Sequence, residues 1–447
     1  MSDFVIDIEC DGIHPTKIHC LSYQEQGIDG IVSLSLYSDM VSFINKLDTN
    51  DKIIGHSFIR YDLPVLERIL GIKIKAKIVD TLALSWYLYP EVSRHGLADW
   101  GEYFGVPKPK IDDWENLSQG EYLHRCKEDV RINTLLWEKM QDDLLALYGT
   151  VEGVNHLTKY LSFKMECAER QERGRWAVDV KGATTLLDKL QTAHSESTEA
   201  LAAVMPRVPK MAWRKSPANP FKMDGSKTLH RIKWDKLCEE HGVPVSIDKI
   251  HVQVGTNPPK PGGTVQVKRW LHTLGWEPCT FKYDGDNVIP QVKDGEELCS
   301  SIKRMITKNP ELQHLVMFTI HKHRIDVLKA LLEAEEGGFV KAEVKGLTNT
   351  LRFKHRKPCA NIPSLRKPYG KEIRGLFMAR KDSSELCGAD MCSLEDRTKQ
   401  HFLWHYDPEY VKDMMQDGFD PHLQLAVLSG MITEDEEAFY KWYNQNH

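Results

Sequence analysis

The sequence has no CxxC pair of cysteines, no run of 18 apolar residues and no basic segment at its N-terminus. Its ten cysteines are scattered, and the nearest two, Cys387 and Cys392, are five positions apart. This spacing favours free thiols in a reducing cytosol over a disulfide framework or a zinc site. No membrane span is expected without a long apolar run, and the acidic start Met1-Ser2-Asp3-Phe4 argues against a secretory signal. We therefore expect a cytoplasmic protein.

Charge is distributed unevenly along a chain of globular composition. The 447 residues are 41% hydrophobic and 28% charged, which excludes a disordered or collagen-like protein. The net charge is −5 overall, but it is −9 over residues 1–150, +14 over 151–381 and −10 over 382–447. A basic middle between acidic ends indicates a polyanion bound by the centre and carboxylate chemistry at the flanks. Surface charge sorted by chance is the alternative explanation.

The hydrophobic pattern predicts a mixed α/β region followed by a mainly helical one. Strand patterns occur at 4–9, 18–23, 31–37 and 52–55, and helical spacing occurs at 63–70, 118–147, 156–203, 265–274 and 296–334. The helical pattern of 156–203 is interrupted once, at 173–175. Residues 205–263 differ, because eight prolines are spread there among basic residues. That composition predicts a loop-rich insertion or an extended arm.

Four carboxylates in the first 150 residues lie on separate predicted elements. Asp7 and Glu9 share one face of the first strand, because strand side chains repeat every two residues. Asp62 starts a helix, and Asp129 lies inside the long helical stretch. Together over a sheet they would offer the oxygen ligands that Mg²⁺ takes. Two such ions about 4 Å apart stabilise the attacking water and the leaving oxygen in phosphodiester hydrolysis. Any one of these acids alone is more often a solvated residue.

The order and spacing of these acids resemble the DnaQ-like (DEDD) 3′–5′ exonuclease family. The segments that carry the resemblance are VIDIE at 5–9, GHSFIRYD at 55–62, VDTL at 79–82, HGLADW at 95–100 and CKEDV at 126–130. The resemblance implies an RNase H-like exonuclease domain over 1–150 and DNA as the substrate. It also implies two Mg²⁺ ions, held by Asp7, Glu9, Asp62 and Asp129.

Two residues near Asp129 are candidates for the general base or for a phosphate contact. Polymerase-fused members of the family usually have Tyr four residues before the last Asp, and that position here is Arg125. His124 has the spacing of the histidine subclass, and a histidine, with an ordinary pKa of about 6.5, can take a proton from water. Five helical residues turn about 140°, so His124 reaches the metals only from before or at the helix start. We predict His124 as the base; the alternative is an exposed His124 with Arg125 as a helix-surface partner.

A second group of motifs begins in a basic segment. Residues 351–381 hold ten Lys or Arg and one acid, a density that suits phosphate contacts. The following LCGADMCSLEDR at 386–397 predicts an apolar strand that ends in Asp390, then a turn and a charged helix. This segment resembles motif A of family A (DNA polymerase I-like) DNA polymerases. Four more segments resemble other segments of the same family: RQERG at 170–174, TLR at 350–352, PCANIP at 358–363 and DPH at 420–422.

The polymerase resemblance implies specific roles. Asp390 would hold two Mg²⁺ ions, together with the Met391 carbonyl. The residues implied to bind substrate are Arg352 (primer terminus), Asn361 (template or primer backbone), Glu395 (the sugar, against ribonucleotides) and His422 (the incoming triphosphate). The implied fold is the exonuclease domain at 1–150, a mainly helical thumb at 151–335 with its insertion at about 205–263, and a truncated α+β palm at 336–447.

Two parts of the family's polymerase site are missing after 420–422. The sequence there has neither a helix bearing Arg, Lys and Tyr to grip the triphosphate nor a second metal-binding carboxylate on a hairpin. We therefore expect a split polymerase, in which a second polypeptide supplies the fingers and the remaining palm. Primer–template DNA is the other expected partner. The polymerase motifs resemble those of phage replicative enzymes, and this resemblance implies a phage-infected bacterial cell. The 205–263 insertion would bind a processivity factor or form a flexible thumb tip.

Two alternative functions stay open. The chain could be a stand-alone 3′–5′ DNA exonuclease that uses a polymerase remnant to bind DNA. It could also be a non-catalytic scaffold of a replisome, although the presence of all four exonuclease acids argues against that interpretation.

Overall fold

The computed structural model describes residues 2–109, 117–295, 297–359, 362–380, 384–416 and 418–446. The chain forms two compact units, Met1–Arg380 and Lys381–His447. No helix within the described ranges combines the length and hydropathy that crossing a bilayer requires.

Strands and helices alternate through the first 150 residues, as the sequence predicts. The strands are β1 (Asp3–Cys10), β2 (Ile18–Glu25), β3 (Val32–Leu34), β4 (Lys52–Gly55) and β5 (Lys77–Asp80). The helices are α1 (Tyr37–Lys46), α2 (Asp62–Leu70), α3 (Thr81–Leu88), α4 (Leu97–Phe104) and α5 (Gln119–Tyr148). The sheet has the order β3-β2-β1-β4-β5. Strand β2 is antiparallel to β1 and β3, whereas β4 is parallel to β1 and β5.

Helix α5 begins and ends within one residue of the predicted helical stretch 118–147. Ser118 accepts a hydrogen bond from the backbone N–H of Glu121, and the Glu121 carboxylate accepts one from the Ser118 N–H. This reciprocal capping box satisfies two backbone donors at the helix start. Gly149 ends the helix with a φ of 68°, which glycine adopts at little cost. The buried side of α5 packs on β1 and β2, with Val130 and Leu136 in the core.

A buried aspartate fixes the loop between β4 and α2. Asp80 accepts hydrogen bonds from the N–H groups of Ser57 (3.2 Å) and Ile59 (3.3 Å) in that loop. It also accepts from Leu82 (3.1 Å) and Ala83 (3.3 Å) at the start of α3. Ser57 has a φ of 61°, a left-handed conformation that a residue with a side chain rarely adopts. The Asp80 carboxylate therefore sets the path of the chain into α2.

Helices dominate residues 151–380. They are α6 (Val151–Gly174), α7 (Val180–Val204), α8 (Leu229–Glu240), α9 (Thr264–Thr273), α10 (Ser300–Met305), α11 (Leu312–Glu333) and α12 (Gly370–Arg374). The strands are β6 (Trp176–Val178), β7 (Val208–Lys215), β8 (Lys249–Asn257), β9 (Phe281–Asp284), β10 (Asn287–Pro290), β11 (Lys293–Asp294), β12 (Glu297–Leu298), β13 (Phe339–Val340), β14 (Val344–Leu347), β15 (Phe353–His355) and β16 (Phe377–Met378). The predicted interruption at 173–175 is confirmed, since α6 ends there and β6 separates it from α7.

The long helices α7 and α11 pack against each other and against a small sheet. Strand β6 lies between β13 and β16 and is antiparallel to both. Val178 of β6 shares a core with Leu190 of α7 and Leu328 of α11. A second core joins the same two helices to α9 through residues that include Leu201 and Trp270.

The segment 205–263 contains two strands and a helix that the sequence did not predict, with loops between them. Strands β7 and β8 pair as an antiparallel hairpin. Helix α8 packs on the hairpin, and Trp234, Cys238, Ile250 and Val252 form a small core between them. Seven of the eight prolines lie outside the two strands, so they do not interrupt the pairing.

Contacts tie the first 150 residues to the segments that follow. Leu347 of the β14–β15 hairpin is buried in the core of the five-stranded domain. Arg60, just before α2, forms an ion pair of 2.6 Å with Glu172 of α6. Glu172 also accepts a hydrogen bond of 2.8 Å from the backbone N–H of Val344. The position of the five-stranded domain is thereby set by both α6 and the hairpin.

The second unit is helical in its described residues. Its helices are α13 (Leu394–Leu403), α14 (Pro408–Met414), α15 (Pro421–Leu428) and α16 (Glu434–Asn446). The strand predicted over 386–390 is wrong, because residues 384–391 form no strand and Leu386 is exposed. A strand needs a neighbouring strand for its backbone hydrogen bonds, and the described part of this unit contains none. The charged helix predicted to follow is present as α13.

Replacing Asp80 by alanine should loosen the loop that leads into α2. The change removes a helix cap and leaves two buried loop N–H groups without an acceptor. We expect a fall of about 2 kcal/mol in the free energy of local opening over 56–62. Hydrogen exchange of peptides from that loop measures it. Asp179→Ala is the matched control, since Asp179 caps α7 through Gly182 alone. Equal hydrogen-exchange rates over 56–62 in Asp80→Ala and Asp179→Ala would contradict the role assigned to Asp80.

Candidate active site

Three carboxylates meet over the central strand of the five-stranded sheet. Asp7 and Glu9 lie on the same face of β1, and Asp129 lies on α5, which packs across β1 and β2. One oxygen from each carboxylate lies within 4.8 Å of the oxygens of the other two. The period of the strand and the packing of one helix thus bring together residues more than a hundred positions apart in sequence.

Asp62, the fourth predicted ligand, is buried at the first position of α2. It lies outside the group of three, but its negative charge contributes to raising the pKa of Asp7, after burial and Asp129. The loop held by Asp80 leads directly into this residue. Asp62 is therefore an electrostatic member of the site whose position depends on the β4–α2 loop.

Burial makes these carboxylates difficult to ionise together. Burial first, and then the charges of Asp129, Asp62 and Glu9, raise the pKa of Asp7 well above its usual range. Burial raises the pKa of Glu9 to about 7, against the opposing effect of the Arg125 guanidinium. The pKa values of Asp62 and Asp129 are also raised, chiefly by burial. A bound divalent cation would favour the charged form of every one of these groups.

Two basic side chains lie against the cluster. Lys108 forms an ion pair with Asp129, and Nε of Arg125 lies 2.9 Å from Oε1 of Glu9. The other oxygen of Asp129, Oδ1, is buried and has no hydrogen-bond partner among the described residues. A buried oxygen without a partner, within a cluster of acids, fits a metal ligand. Asp7, Glu9 and Asp129 therefore fit Mg²⁺.

Lys108 was not predicted from the sequence. It lies between Pro107 and Pro109, in a stretch without helix or strand, and a single lysine there belongs to no recognisable motif. Arg125 donates a hydrogen bond of 2.7 Å from Nη1 to the Pro109 carbonyl, and so holds this stretch beside the cluster. Only the packing of this stretch against α5 identifies Lys108 as part of the site.

His124, the predicted general base, is the sixth residue of α5, and its side chain is exposed. The condition that it lies before or at the helix start is therefore not met. Arg125 contacts Glu9, so it lies on the side of α5 that faces the acids. The assignment of His124 as the base stays a prediction, and a reorientation of the first turns of α5 would be needed for it to reach the acids.

A basic groove of about 630 Å³ lies beside Tyr61, the residue before Asp62. Its lining includes Arg60, Arg68, Lys73 and Arg173 together with one acid, Glu67, which pairs with Lys73, so the lining keeps a net positive charge. The Tyr61 hydroxyl donates a hydrogen bond of 2.6 Å to the carbonyl of Gly12, which joins the loop after β1 to the start of α2. Positive charge next to an acidic cluster suits a nucleic-acid backbone that leads to the acids.

In the second unit, Asp390 and Met391 are exposed in an irregular stretch. Among the described residues, the cluster of Asp7, Glu9 and Asp129 is the one group of at least three ligand side chains close enough to share a metal. Asp390 belongs to no such group in the ranges that the structure covers. Its metal-binding role, with the Met391 carbonyl, stays a prediction.

The other polymerase residues lie at helix starts or in a turn. Glu395 is in the first turn of α13, and His422 is exposed near the start of α15. Asp420 caps α15 by accepting from the N–H of His422 at 2.9 Å, so helix capping accounts locally for the DPH motif. Arg352 is exposed at the turn between β14 and β15. Asn361 lies outside the described residues.

Comparison with known proteins shows that nearly the whole chain is similar in sequence to DNA polymerases. No family model matches the chain. It is 20% identical to the DNA-directed DNA polymerase of Escherichia phage T7, over 96% of this chain and 73% of the phage protein. The corresponding values for the enzyme of Enterobacteria phage T3 are 20%, 95% and 73%. The predicted resemblance to phage DNA polymerases is confirmed.

The structure is also similar to the polymerase domain of Pol1 from M. smegmatis, solved in complex with DNA primer-template and dNTP. The TM-score is 0.61 at 15% identity, covering 97% of this chain and 64% of that one. The chain therefore shares a fold with that polymerase domain and spans less than two thirds of its length.

Binding of Mg²⁺ should become tighter as the pH rises through 7. A metal-bound carboxylate must be deprotonated, and the pKa of Glu9 is raised to about 7, so a proton competes with the cation below that pH. Calorimetry in two buffers of different ionisation enthalpy should show proton release on binding. Glu9→Gln should reduce the dependence on pH. An affinity that is constant between about pH 6 and pH 8 would contradict the burial argument.

The role of His124 can be tested against its helix neighbour. If His124 is the general base, His124→Ala should slow nuclease turnover at neutral pH by at least about a hundredfold. Lys127→Ala is the control, because Lys127 is exposed on the same helix. Near-normal rates in His124→Ala would rule the assignment out and leave Arg125 and Lys108 as the basic groups of the site.

Proposed function

We propose that the five-stranded domain is an Mg²⁺-dependent 3′–5′ exonuclease that removes nucleotides from DNA. The observation that carries this proposal is the set of Asp7, Glu9 and Asp129, each of which offers one oxygen within 4.8 Å of those of the other two. Oδ1 of Asp129 is in addition buried and has no hydrogen-bond partner among the described residues. Asp62 adds a fourth carboxylate at the same site. The similarity of the chain to phage DNA polymerases supports DNA as the substrate.

The residues of the site divide the chemistry between them. Asp7, Glu9, Asp62 and Asp129 would hold two Mg²⁺ ions. When bound, these ions supply an activated water and stabilise the charge on the scissile phosphate. Lys108 and Arg125 lie against the same carboxylates, so they are released to pair with phosphate oxygens once cations take their place. The basic groove beside Tyr61 would receive the strand that ends at the acids.

We further propose that the chain contributes the thumb and the first part of the palm to a DNA polymerase. In this arrangement Asp390 and the Met391 carbonyl bind the catalytic metals. The predicted substrate contacts are those of Arg352, Asn361, Glu395 and His422. A second polypeptide supplies the fingers, the triphosphate-binding helix and the remaining palm carboxylate. The match to the phage polymerases extends over nearly all of this chain, and therefore well beyond the exonuclease domain.

Exposed apolar surface in the second unit supports a partner there. Helix α15 consists largely of apolar residues, yet it buries none of them, and α13 buries none of its residues either. The large apolar side chains that this unit exposes include Phe402, Tyr406, Leu425, Leu428, Met431 and Phe439. An apolar helix is normally covered by a core or by a partner. The missing part of a palm would provide such a cover.

The alternative function is a stand-alone 3′–5′ DNA exonuclease whose other segments bind DNA. The ion pair of Arg60 with Glu172 and the burial of Leu347 in the exonuclease core favour a single rigid assembly of nuclease and following segments. That feature is compatible with both functions. The two differ in whether primer extension can be restored.

Nuclease activity should depend on the carboxylate cluster. On 5′-labelled single-stranded DNA with Mg²⁺, the protein should give a ladder of products shortened from the 3′ end. Asp7→Asn and Asp129→Asn should each lower the rate at least about a hundredfold, since each removes a metal ligand. Asn resembles the protonated carboxyl, so the fold should be kept. Asp39→Asn, on the exposed side of α1, is the control. Full activity in Asp7→Asn would contradict the proposal.

The polymerase role should separate cleanly from the nuclease role. The protein alone should incorporate no nucleotide on a primer–template, and a polypeptide carrying fingers and the remaining palm should co-elute with it and restore extension. Asp390→Asn should abolish that extension and leave hydrolysis intact, whereas Asp7→Asn should do the reverse. Incorporation by the protein alone would contradict the split arrangement. Failure of every candidate partner, with hydrolysis intact, would favour the stand-alone exonuclease.

A further inference from the structure

The β7–β8 hairpin has one covered face and one open face. Residues paired across the hairpin lie on the same face, and the pairs Ala212–Val252 and Arg214–Ile250 face helix α8. The opposite face carries the pairs Met211–Gln253, Trp213–His251 and Lys215–Lys249. All six of these side chains are exposed. The open face is about 14 Å long, from four steps of a strand.

The open face combines aromatic rings with positive charge. Trp213 is 58% exposed, and its ring is stacked on that of His251, with centroids 4.7 Å apart and planes inclined by 19°. The Lys249 ammonium lies 4.9 Å from the centre of the Trp213 ring. Lys215 is directly opposite Lys249, and like charges in that position destabilise a hairpin. The stack and the cation–π contact stabilise the hairpin, whereas the lysine pair opposes its folding.

Positive charge continues from the open face into a neighbouring cavity. A cavity of about 770 Å³ is lined by Arg214, Lys215, His230 and Lys233, and no acid is among its described lining residues. Lys215 belongs to both surfaces. Residues 206–263 as a whole hold eleven Lys or Arg and five acids. Asp235 of α8 is paired with Lys227 and Arg231.

We propose that the open face of the β7–β8 hairpin and the adjoining basic cavity bind single-stranded nucleic acid. Lys215 and Lys249 bind phosphates, and Trp213 with His251 offers a ring surface on which an unpaired base stacks. Lys249 leaves the Trp213 ring when it pairs with a phosphate, and the base takes its place. Basic residues interleaved with aromatic rings are the combination that single strands require.

Single-stranded nucleic acid fits the open face of the hairpin better than a duplex or a protein does. A duplex offers phosphates but keeps its bases stacked inside, so it would leave the aromatic pair unused. An acidic protein would satisfy the lysines and has no comparable use for the stacked rings. The site is separate from the carboxylate cluster, so it stands whether or not the exonuclease proposal holds.

The test measures fluorescence anisotropy of a labelled oligothymidylate with the 447-residue protein in EDTA, which removes hydrolysis from the measurement. Trp213→Ala should weaken binding about tenfold, and Trp213→Phe should restore most of the loss. The double variant Lys215→Ala/Lys249→Ala should reduce the slope of log affinity against log salt by about 1.4, the value for two lost phosphate contacts on a single strand.

Matched controls are available in the β9–β10 hairpin. Tyr283 and Lys282 are exposed there on a two-stranded hairpin of the same kind, so Tyr283→Ala and Lys282→Ala should leave affinity and slope unchanged. If the Trp213 and lysine variants leave both the affinity and the salt slope unchanged, the proposal is overturned. A protein partner would then be the better explanation of the surface. Equal losses on duplex and single strand would overturn the stacking role. Protection of the α8 amides in hydrogen exchange shows that each variant keeps its fold.

Discussion

Three acids that share a few ångströms of partly buried space cannot all be charged unless positive charge joins them. The structure meets this constraint with Lys108 on Asp129 and Arg125 on Glu9, and one buried oxygen of Asp129 still has no partner among the residues that the structure describes. Burial raises the pKa values of the cluster, and a divalent cation reverses that effect. In the function that we propose, a divalent cation would replace the protons and the basic side chains at these acids.

The surrounding fold serves to hold that arrangement. The central strand supplies two of the acids, and a capped helix of thirty residues supplies the third. The buried Asp80 carboxylate accepts hydrogen bonds from four backbone N–H groups and so fixes the path of the chain that leads into Asp62. Helix α6 and the β14–β15 hairpin then join the domain to the segments that resemble a polymerase. The candidate active site and the segments that resemble a polymerase are therefore connected through packed elements of one unit.

Sequence reasoning succeeded where the signal is local. The period of a strand placed Asp7 beside Glu9, and helical spacing over 118–147 predicted α5 to within one residue at each end. It failed where the structure depends on distant partners. Lys108 has no motif, and its role appears only when its stretch packs against α5. The core of segment 205–263 joins Trp234 to Ile250 across a turn, and its prolines suggested a loop instead. The strand expected before Asp390 needs a neighbour that the described part of the second unit does not contain.

The most direct test of the account is a crystal structure of the protein soaked in Mn²⁺, with anomalous scattering recorded. The account predicts an anomalous peak bonded to oxygens of Asp7, Glu9 and Asp129, with Lys108 displaced from Asp129. A structure with no peak at the cluster, and with Lys108 still paired to Asp129 at saturating Mn²⁺, would contradict the central claim that these acids form a metal site.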